Sequence, residues 1–425
     1  MQKRLMPVIL NSFLCVWLAT PILEGAPPYW ARAVIRPSLV ELQPGEQQQF
    51  KVVMLATRLM AAHLAPEVKW SVNSVEGGNE QLGWIDETGN YRAPDTIPTP
   101  SEIHICAEVK EAANSNLFAT VLMDRPDPSY KLLWEWSVPA DNSPHLDKPH
   151  GITLDGNGNL LIADEGASRV LRFSPRGEFL GDVGRGKGSS PGQFTKPRCV
   201  TVDRAGQIFV SDSKGDRPRM QIFTPEGKFS RIFAEKGTGP GMILRAHGMA
   251  FDRDERLFAV DVDNMRVNIY SHDGDFLSSW GKDGRRLGDF NAPHGLVIDP
   301  SGDVFVSSYY GPTQKFDAQG NFVTVFGHGD PPNGPVYFHS MTGDHWGNLY
   351  LMVRNKGGYG GAIQRRTGKP ALSIVKYNNN GDYITGWSLA NTEHKETSAV
   401  VDADGRVYAL FEGNVAMGVQ VFGPQ

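Results

Sequence analysis

PHGITLDGNGNLLIAD, residues 149–164, sets the fold. Gly151 to Asp155 is a short apolar run, and Asp155-Gly156-Asn157-Gly158 supplies tight-turn chemistry. Leu160 to Ala163 is a second run, closed by Asp164. Downstream, Arg169 to Phe173 alternates with a period of two, Ser174-Pro175-Arg176-Gly177 turns, and Glu178 to Val183 reads as a fourth strand. Four short strands separated by Gly- and Asp-bearing turns describe one blade of a propeller. Amphipathic helical periodicity is absent from this unit, so the fold class is all-β.

The opening phrase recurs. It reads KPHGITLDGNG from Lys148, KPRCVTVDRAG from Lys196, RAHGMAFDRDE from Arg245 and APHGLVIDPSG from Ala292, with looser copies at Tyr337 (YFHSMTGDHWG) and Glu396 (ETSAVVDADG). One column of that alignment holds His150, Arg198, His247, His294, His339 and Thr397, at intervals of 48, 49, 47, 45 and 58 residues. A period in this range marks one supersecondary unit repeated in an array. The sixth copy runs through Val407–Leu410 and Val419–Phe422 and then lacks a fourth strand. Tyr130–Trp136 (YKLLWEW), upstream of the first copy, resembles the fourth strands DFLSSWG and DYITGWS and is expected to complete it. Such closure removes the unpaired edges of an open array. The expectation is a six-bladed β-propeller over residues 130–425, closed by an N-terminal strand.

Residues 1–26 carry Lys3 and Arg4, an apolar stretch and small residues near Gly25, the pattern of a signal peptide or an N-terminal anchor. The expected localisation follows: exported, whether periplasmic, extracellular or membrane-anchored facing outward through that tether. Residues 30–124 alternate as strands at Ala33–Ile35, Gln48–Val53, Val68–Val72, Ile103–Val109 and Ala119–Met123, with Trp70 at a strand centre. The runs RPSLVELQPGEQQQF, KWSV and GWIDETGNYRAP resemble bacterial Ig-like modules of group 2, which implies a β-sandwich that presents or spaces a second domain. Arg125-Pro126-Asp127-Pro128 reads as a stiff linker, placed at 125–129.

Composition narrows the function. A net charge of −5 with 21% charged residues provides no basic footprint for nucleic acid. Of three cysteines, Cys15 lies in the apolar leader, while Cys106 and Cys199 fall in different expected domains. No disulfide framework or cysteine-rich metal site is available.

The functional face follows from blade order. First strands start beside the central channel, on the same face as the loops that begin at Asp164, Asp212 and Asp261, whereas the turns at Asp155 and Ser174 point the other way. His150, His247 and His339 come from alternate blades, about 120° apart in a six-fold ring. Three converging imidazoles suit Zn2+ or another divalent ion with an open fourth position. Arg198 suits a substrate carboxylate, and His294 is a further ligand-binding or acid/base candidate. The same column would also arise from duplication alone, with Pro-His-Gly serving to start a strand.

PHGITLDGNGNLLIAD, PRCVTVDRAGQIFVSD and PHGLVIDPSGDVFVSS, with GSSPGQFTKP before the second, resemble NHL repeats. Within that superfamily, the alternate-blade histidines are similar to those of the lyase that cleaves peptidyl hydroxyglycine with zinc. The resemblance implies His150, His247 and His339 as the metal ligands. It also implies a Tyr and an Arg in loops after second strands, but those loops read Ser211-Asp212-Ser213-Lys214-Gly215 and Leu410-Phe411-Glu412-Gly413 here. Tyr309 and Tyr310 occupy another such loop on the same face. An Asp at the end of a second strand usually ties down the loop that follows it in such repeats. Gly357-Gly358-Tyr359-Gly360-Gly361 accounts for the 58-residue interval as an insertion, with Arg365, Arg366 and Lys369 beside it over the functional face. Two functions remain open: an exported platform binding a small-molecule, peptide or protein ligand, or a metal-dependent lyase or hydrolase.

Overall fold

The computed structural model describes residues 32–55, 67–110, 116–123, 130–139, 144–212, 216–309, 311–326, 338–353, 372–390, 395–413 and 416–424. The expected leader (1–26), the linker at 125–129 and the insertion around 354–371 lie outside them. Every described element is a strand, and among the described residues no helix is long and apolar enough to cross a membrane.

From Tyr130 onward the described residues form six four-stranded antiparallel sheets. The first comprises Pro149–Leu154, Leu160–Asp164, Arg169–Phe173 and Phe179–Val183, and the second to fifth repeat that order along the chain. Lys395–Val401, Val407–Glu412 and Ala416–Pro424 make the last, and Tyr130–Pro139 pairs antiparallel with Ala416–Pro424 as its outer strand. Each first strand touches the first strands of both neighbours, and Pro149–Leu154 also touches Lys395–Val401, so the circuit closes as a β-propeller.

Burial explains the sequence pattern. Second strands such as Leu160–Asp164 and Leu257–Asp261 are buried throughout, because other sheets cover both faces, and so they read as unbroken apolar runs. Fourth strands at the rim, such as Phe276–Trp280, are mostly exposed. A separate apolar cluster fills each gap between sheets, including the gap between the last sheet and the first, where Tyr408 and Leu410 meet Ile152 and Leu160. Turns are fixed by a recurring Asp: Asp155 Oδ1 accepts from the amides of Asn157 and Asn159, and Asp252, Asp299, Asp344 and Asp402 repeat the arrangement.

The described residues between 32 and 123 form a second unit around their own core, which contains Phe50, Trp70 and Tyr91. A five-stranded sheet places Leu39–Glu41 parallel to Asn116–Leu122, beside Glu102–Val109, Val68–Val72 and Val75–Glu76. The expected strand Gln48–Val53 is broken at Phe50. That side chain is fully buried and its amide donates to Gly89 O, so Gln47–Gln49 pairs with Asn90–Arg92 while Lys51–Leu55 pairs with Arg32–Arg36. Both described cysteines are free thiols.

This unit docks on the turn side of the propeller. Arg32 bonds Asp303 at 2.5 Å, Ser38 Oγ donates to Asp382 at 2.5 Å, and Lys376 Nζ meets Glu102 at 2.6 Å. His104 stacks on Trp346 with ring centres 4.8 Å apart. These four propeller partners belong to the fourth and fifth sheets, on the face opposite the histidine column.

Candidate metal and ligand site in the channel

Small residues let the first strands crowd the axis. A Cβ on Gly151 would meet Arg198 O at 2.5 Å, and one on Gly248 would meet the Leu296 amide nitrogen at 2.6 Å. The glycine of Pro-His-Gly is therefore a packing requirement. Cys199 fills the equivalent slot in the second sheet; burial pushes its thiol up to about 12, leaving an inert group. The crowded strands enclose a cavity of about 310 Å³ lined by His150, Arg198, His247, His294, Ser340 and Ser398, among others.

Three imidazoles meet at its mouth. Ring centres lie 4.0 Å apart for His247–His294, 5.3 Å for His150–His247 and 6.5 Å for His150–His294. His247 is 8% exposed, and both of its ring nitrogens lack a hydrogen-bond partner. Burial first, then the neighbouring His294, Arg198, His150 and Arg245, hold its pKa well below the usual histidine range, so the ring is neutral at physiological pH. A buried neutral imidazole with two unsatisfied nitrogens loses free energy that a ligand would restore. Two imidazoles bound to one zinc-type ion at about 2.0–2.1 Å have ring centres about 5 Å apart, close to the His150–His247 spacing. The donor type and the orphaned His247 nitrogens suit a divalent ion; among the described residues, which leave out the His339 side chain, no group of three or more His, Cys, Asp or Glu is placed to hold one. His339 lies in the strand Phe338–Gly343 at the expected place in the ring, and its side chain is outside the described set.

Arg198 Nη2 lies 2.5 Å from His150 Nε2, and Nη1 lies 2.8 Å from Glu165 Oε2. Glu165 went unrecognised in the sequence, although it directly follows Asp164 in a loop assigned to this face. Tyr309 approaches His294 with ring centres 5.0 Å apart, and its phenol is close enough to act electrostatically on Arg198. A tyrosine therefore does reach the site, from the loop after the second strand of the fourth sheet; Tyr310 is not among the described residues. Burial lowers the Arg198 pKa against the pull of Glu165.

The strand-ending aspartates hold the loop that follows, as expected, and also the connection that enters the sheet: Asn264 Nδ2 donates to Asp261 at 2.6 Å, and the Ala167 amide donates to Asp164. Asp212 Oδ1 accepts from the amides of Thr195 and Lys196, and Asp261 Oδ1 accepts from those of Leu244 and Arg245. These bonds fasten the connection entering the sheet, because the first strand starts alongside the end of the second. Arg219 and Arg266 complete each fastening by donating to carbonyls of the same connections. His345 sits on the opposite face against Trp346, whereas His328 and His394 are outside the described residues.

Comparison with known proteins agrees with the repeat. Residues 146–173 match the NHL repeat model. NHL repeat-containing protein 3 of Mus musculus is 25% identical over 173 residues, 38% of this chain and 48% of that protein. A probable peptidyl-alpha-hydroxyglycine alpha-amidating lyase of Caenorhabditis elegans is 26% identical over 163 residues, 37% of this chain and 43% of its own length. The chain thus spans less than half of either relative. A protein of unknown function from Bacteroides thetaiotaomicron superimposes with a TM-score of 0.51 at 15% identity, covering 94% of this chain and 99% of that one. That likeness concerns the fold alone; in sequence the chain is similar, over part of its length, to an NHL repeat-containing protein and to a probable amidating lyase.

Proposed function

We propose that this is an exported six-bladed propeller, carrying an Ig-like sandwich on its turn face, that holds a divalent ion in its channel. We read it as a lyase for a small, anionic, peptide-derived substrate. The observation that carries the reading is His247, buried and neutral with both ring nitrogens unpartnered, between His150 and His294 at the mouth of a cavity. His150, His247 and His339 are the proposed ligands, and the bound ion would act as a Lewis acid toward a substrate oxygen. Arg198 offers a planar guanidinium to a carboxylate. Tyr309 brings a phenol to the same rim, suited to moving a proton at its Oη. His294 packs against both His247 and Tyr309, where it can orient substrate or relay that proton. The similarity to a probable amidating lyase, over 37% of the chain, favours a peptide-derived substrate.

A ligand-binding platform without catalysis is the second reading. It is favoured by the absence of Tyr and Arg from the two loops where the amidating lyase has them. Elemental analysis of purified protein, beside a His150→Ala/His247→Ala/His339→Ala variant, separates the two. Near-stoichiometric zinc or another divalent ion, lost in the variant, supports the site and is followed by assay on a hydroxyglycine-terminated peptide. A wild type that stays metal-free after incubation with zinc overturns the enzyme reading.

A further inference from the structure

We infer that Arg198 and Glu165 form a latch on His150, so that the ion and the guanidinium compete for one nitrogen. The inference rests on the proposed ion site. An arginine only donates hydrogen bonds. With Arg198 Nη2 at 2.5 Å, His150 Nε2 must therefore be the acceptor, and the ring carries its proton on Nδ1. That uses the lone pair a metal ligand at this position would need. Glu165 holds the other branch of the fork at 2.8 Å, and the two side chains are only 11% and 13% exposed, so water competes weakly for either contact. Arg198 Nε is buried without a partner, so the fork is held at its two ends and leaves one donor unsatisfied.

The arrangement gives loading an order. An ion that takes His150 Nε2 displaces one branch of the guanidinium, while Glu165 keeps the side chain at the rim. The freed N–H groups then face the channel and can grip an anionic group. Arg198 recognises substrate only after the ion is in place. By linkage, an anion that pairs with the displaced guanidinium strengthens ion binding by the same factor. The residue that replaces histidine in the second repeat is thus an antagonist of the ion as well as a partner for substrate.

The test uses metal-stripped full-length protein titrated with Zn2+ against a chromophoric chelator, for the wild type, Arg198→Met and Arg198→Gln. Loss of a charged hydrogen bond that must be broken for loading should tighten zinc binding roughly ten- to hundred-fold. Nitrogen NMR of metal-free protein provides a readout that a general charge effect does not move. His150, assigned by loss of its signals in His150→Gln, should show the Nδ1–H form in the wild type and lose that preference in both variants. The opposite tautomer in the wild type overturns the latch even if neither variant folds. Equal zinc affinity in wild type and variants, or tighter binding with unchanged His150 signals, also overturns it while leaving the ion site standing. No zinc binding by any of the proteins overturns the ion site itself.

Discussion

Replacing Glu102 by Ala should loosen the N-terminal unit from the propeller. Lys376 is 3% exposed, and its ammonium lies 2.6 and 2.7 Å from the two Glu102 oxygens, with Tyr130 Oη at 3.4 Å as its other polar contact. Burial works against its charge, but Glu102, with Tyr130 and Asp344, outweighs that and raises its pKa above the ordinary lysine value. Removing one partner of a buried pair costs about 3–5 kcal/mol, because the remaining charge is left uncompensated. Tyr130 retains part of the solvation, so the expected loss is at the lower end, about 3 kcal/mol. Glu102→Leu with Lys376→Met removes both charges and should recover all but about 1 kcal/mol, since an apolar replacement of a buried pair is often neutral. Urea unfolding followed by tryptophan fluorescence reports on this, with Trp346 as the local probe through its stack on His104. A Glu102→Ala protein within 0.5 kcal/mol of wild type, from an experimental resolution of about that size for additive surface changes, would refute the buried-pair reasoning.

Three further outcomes follow. Gly320→Ala should cost roughly 2–4 kcal/mol, combining a left-handed backbone with overpacking, since its φ is +83° and a Cβ would stand 2.3 Å from Trp280; thermal unfolding measures it, and a variant as stable as wild type contradicts the packing. His104 is buried against Trp346, and burial, helped by the nearby Lys376 and His345 and opposed by Asp344, lowers its pKa to about 3. Its stabilising contribution is therefore present above the ordinary histidine value and lost as pH falls toward 3, by at most about 1.4 kcal/mol per pH unit. His104→Phe, which keeps the stack, should flatten stability against pH between 6.5 and 3, and an unchanged slope counts against it. Asp303 is 3% exposed between Arg32 and Lys315, so Asp303→Ala should cost about 3–5 kcal/mol by stranding two cations; a loss under 1 kcal/mol in denaturant unfolding rejects that value.

Much of the propeller could be read from the chain because one unit is written several times. Alternation in Arg169–Phe173, turn chemistry at Asp155–Gly158 and the fully apolar second strands each have a local cause, and repetition multiplies a weak signal. The outer strand at Tyr130 was legible through its likeness to other fourth strands. The break at Phe50 was not, because the alternation from Gln48 to Val53 continues across a residue whose burial sends the two halves to different sheets. At the site, the column located His150, Arg198, His247 and His294 around one cavity. Glu165 was hidden because its partner is 33 residues away on another sheet, and an acidic residue after Asp164 reads as ordinary loop polarity.

The two ends of the propeller are connected by geometry. Neighbouring sheets meet through apolar contacts, as where Val297 and Phe305 pack on Met341 and Leu351, and such contacts resist separation more than rotation because they are non-directional. Between the fourth and fifth sheets, directional bonds add a constraint: Lys315 Nζ donates to Asn379 O at 3.0 Å, and Asn379 Nδ2 to Asp299 at 3.3 Å. The N-terminal unit fastens the same two sheets through Arg32–Asp303 and Glu102–Lys376. These are the sheets whose first strands carry His294, which lines the channel cavity, and the backbone of His339. Fixing their turn ends limits how far their other ends can tilt. Fastening at the turn face can therefore influence the spacing of first strands at the opposite end of the same two sheets.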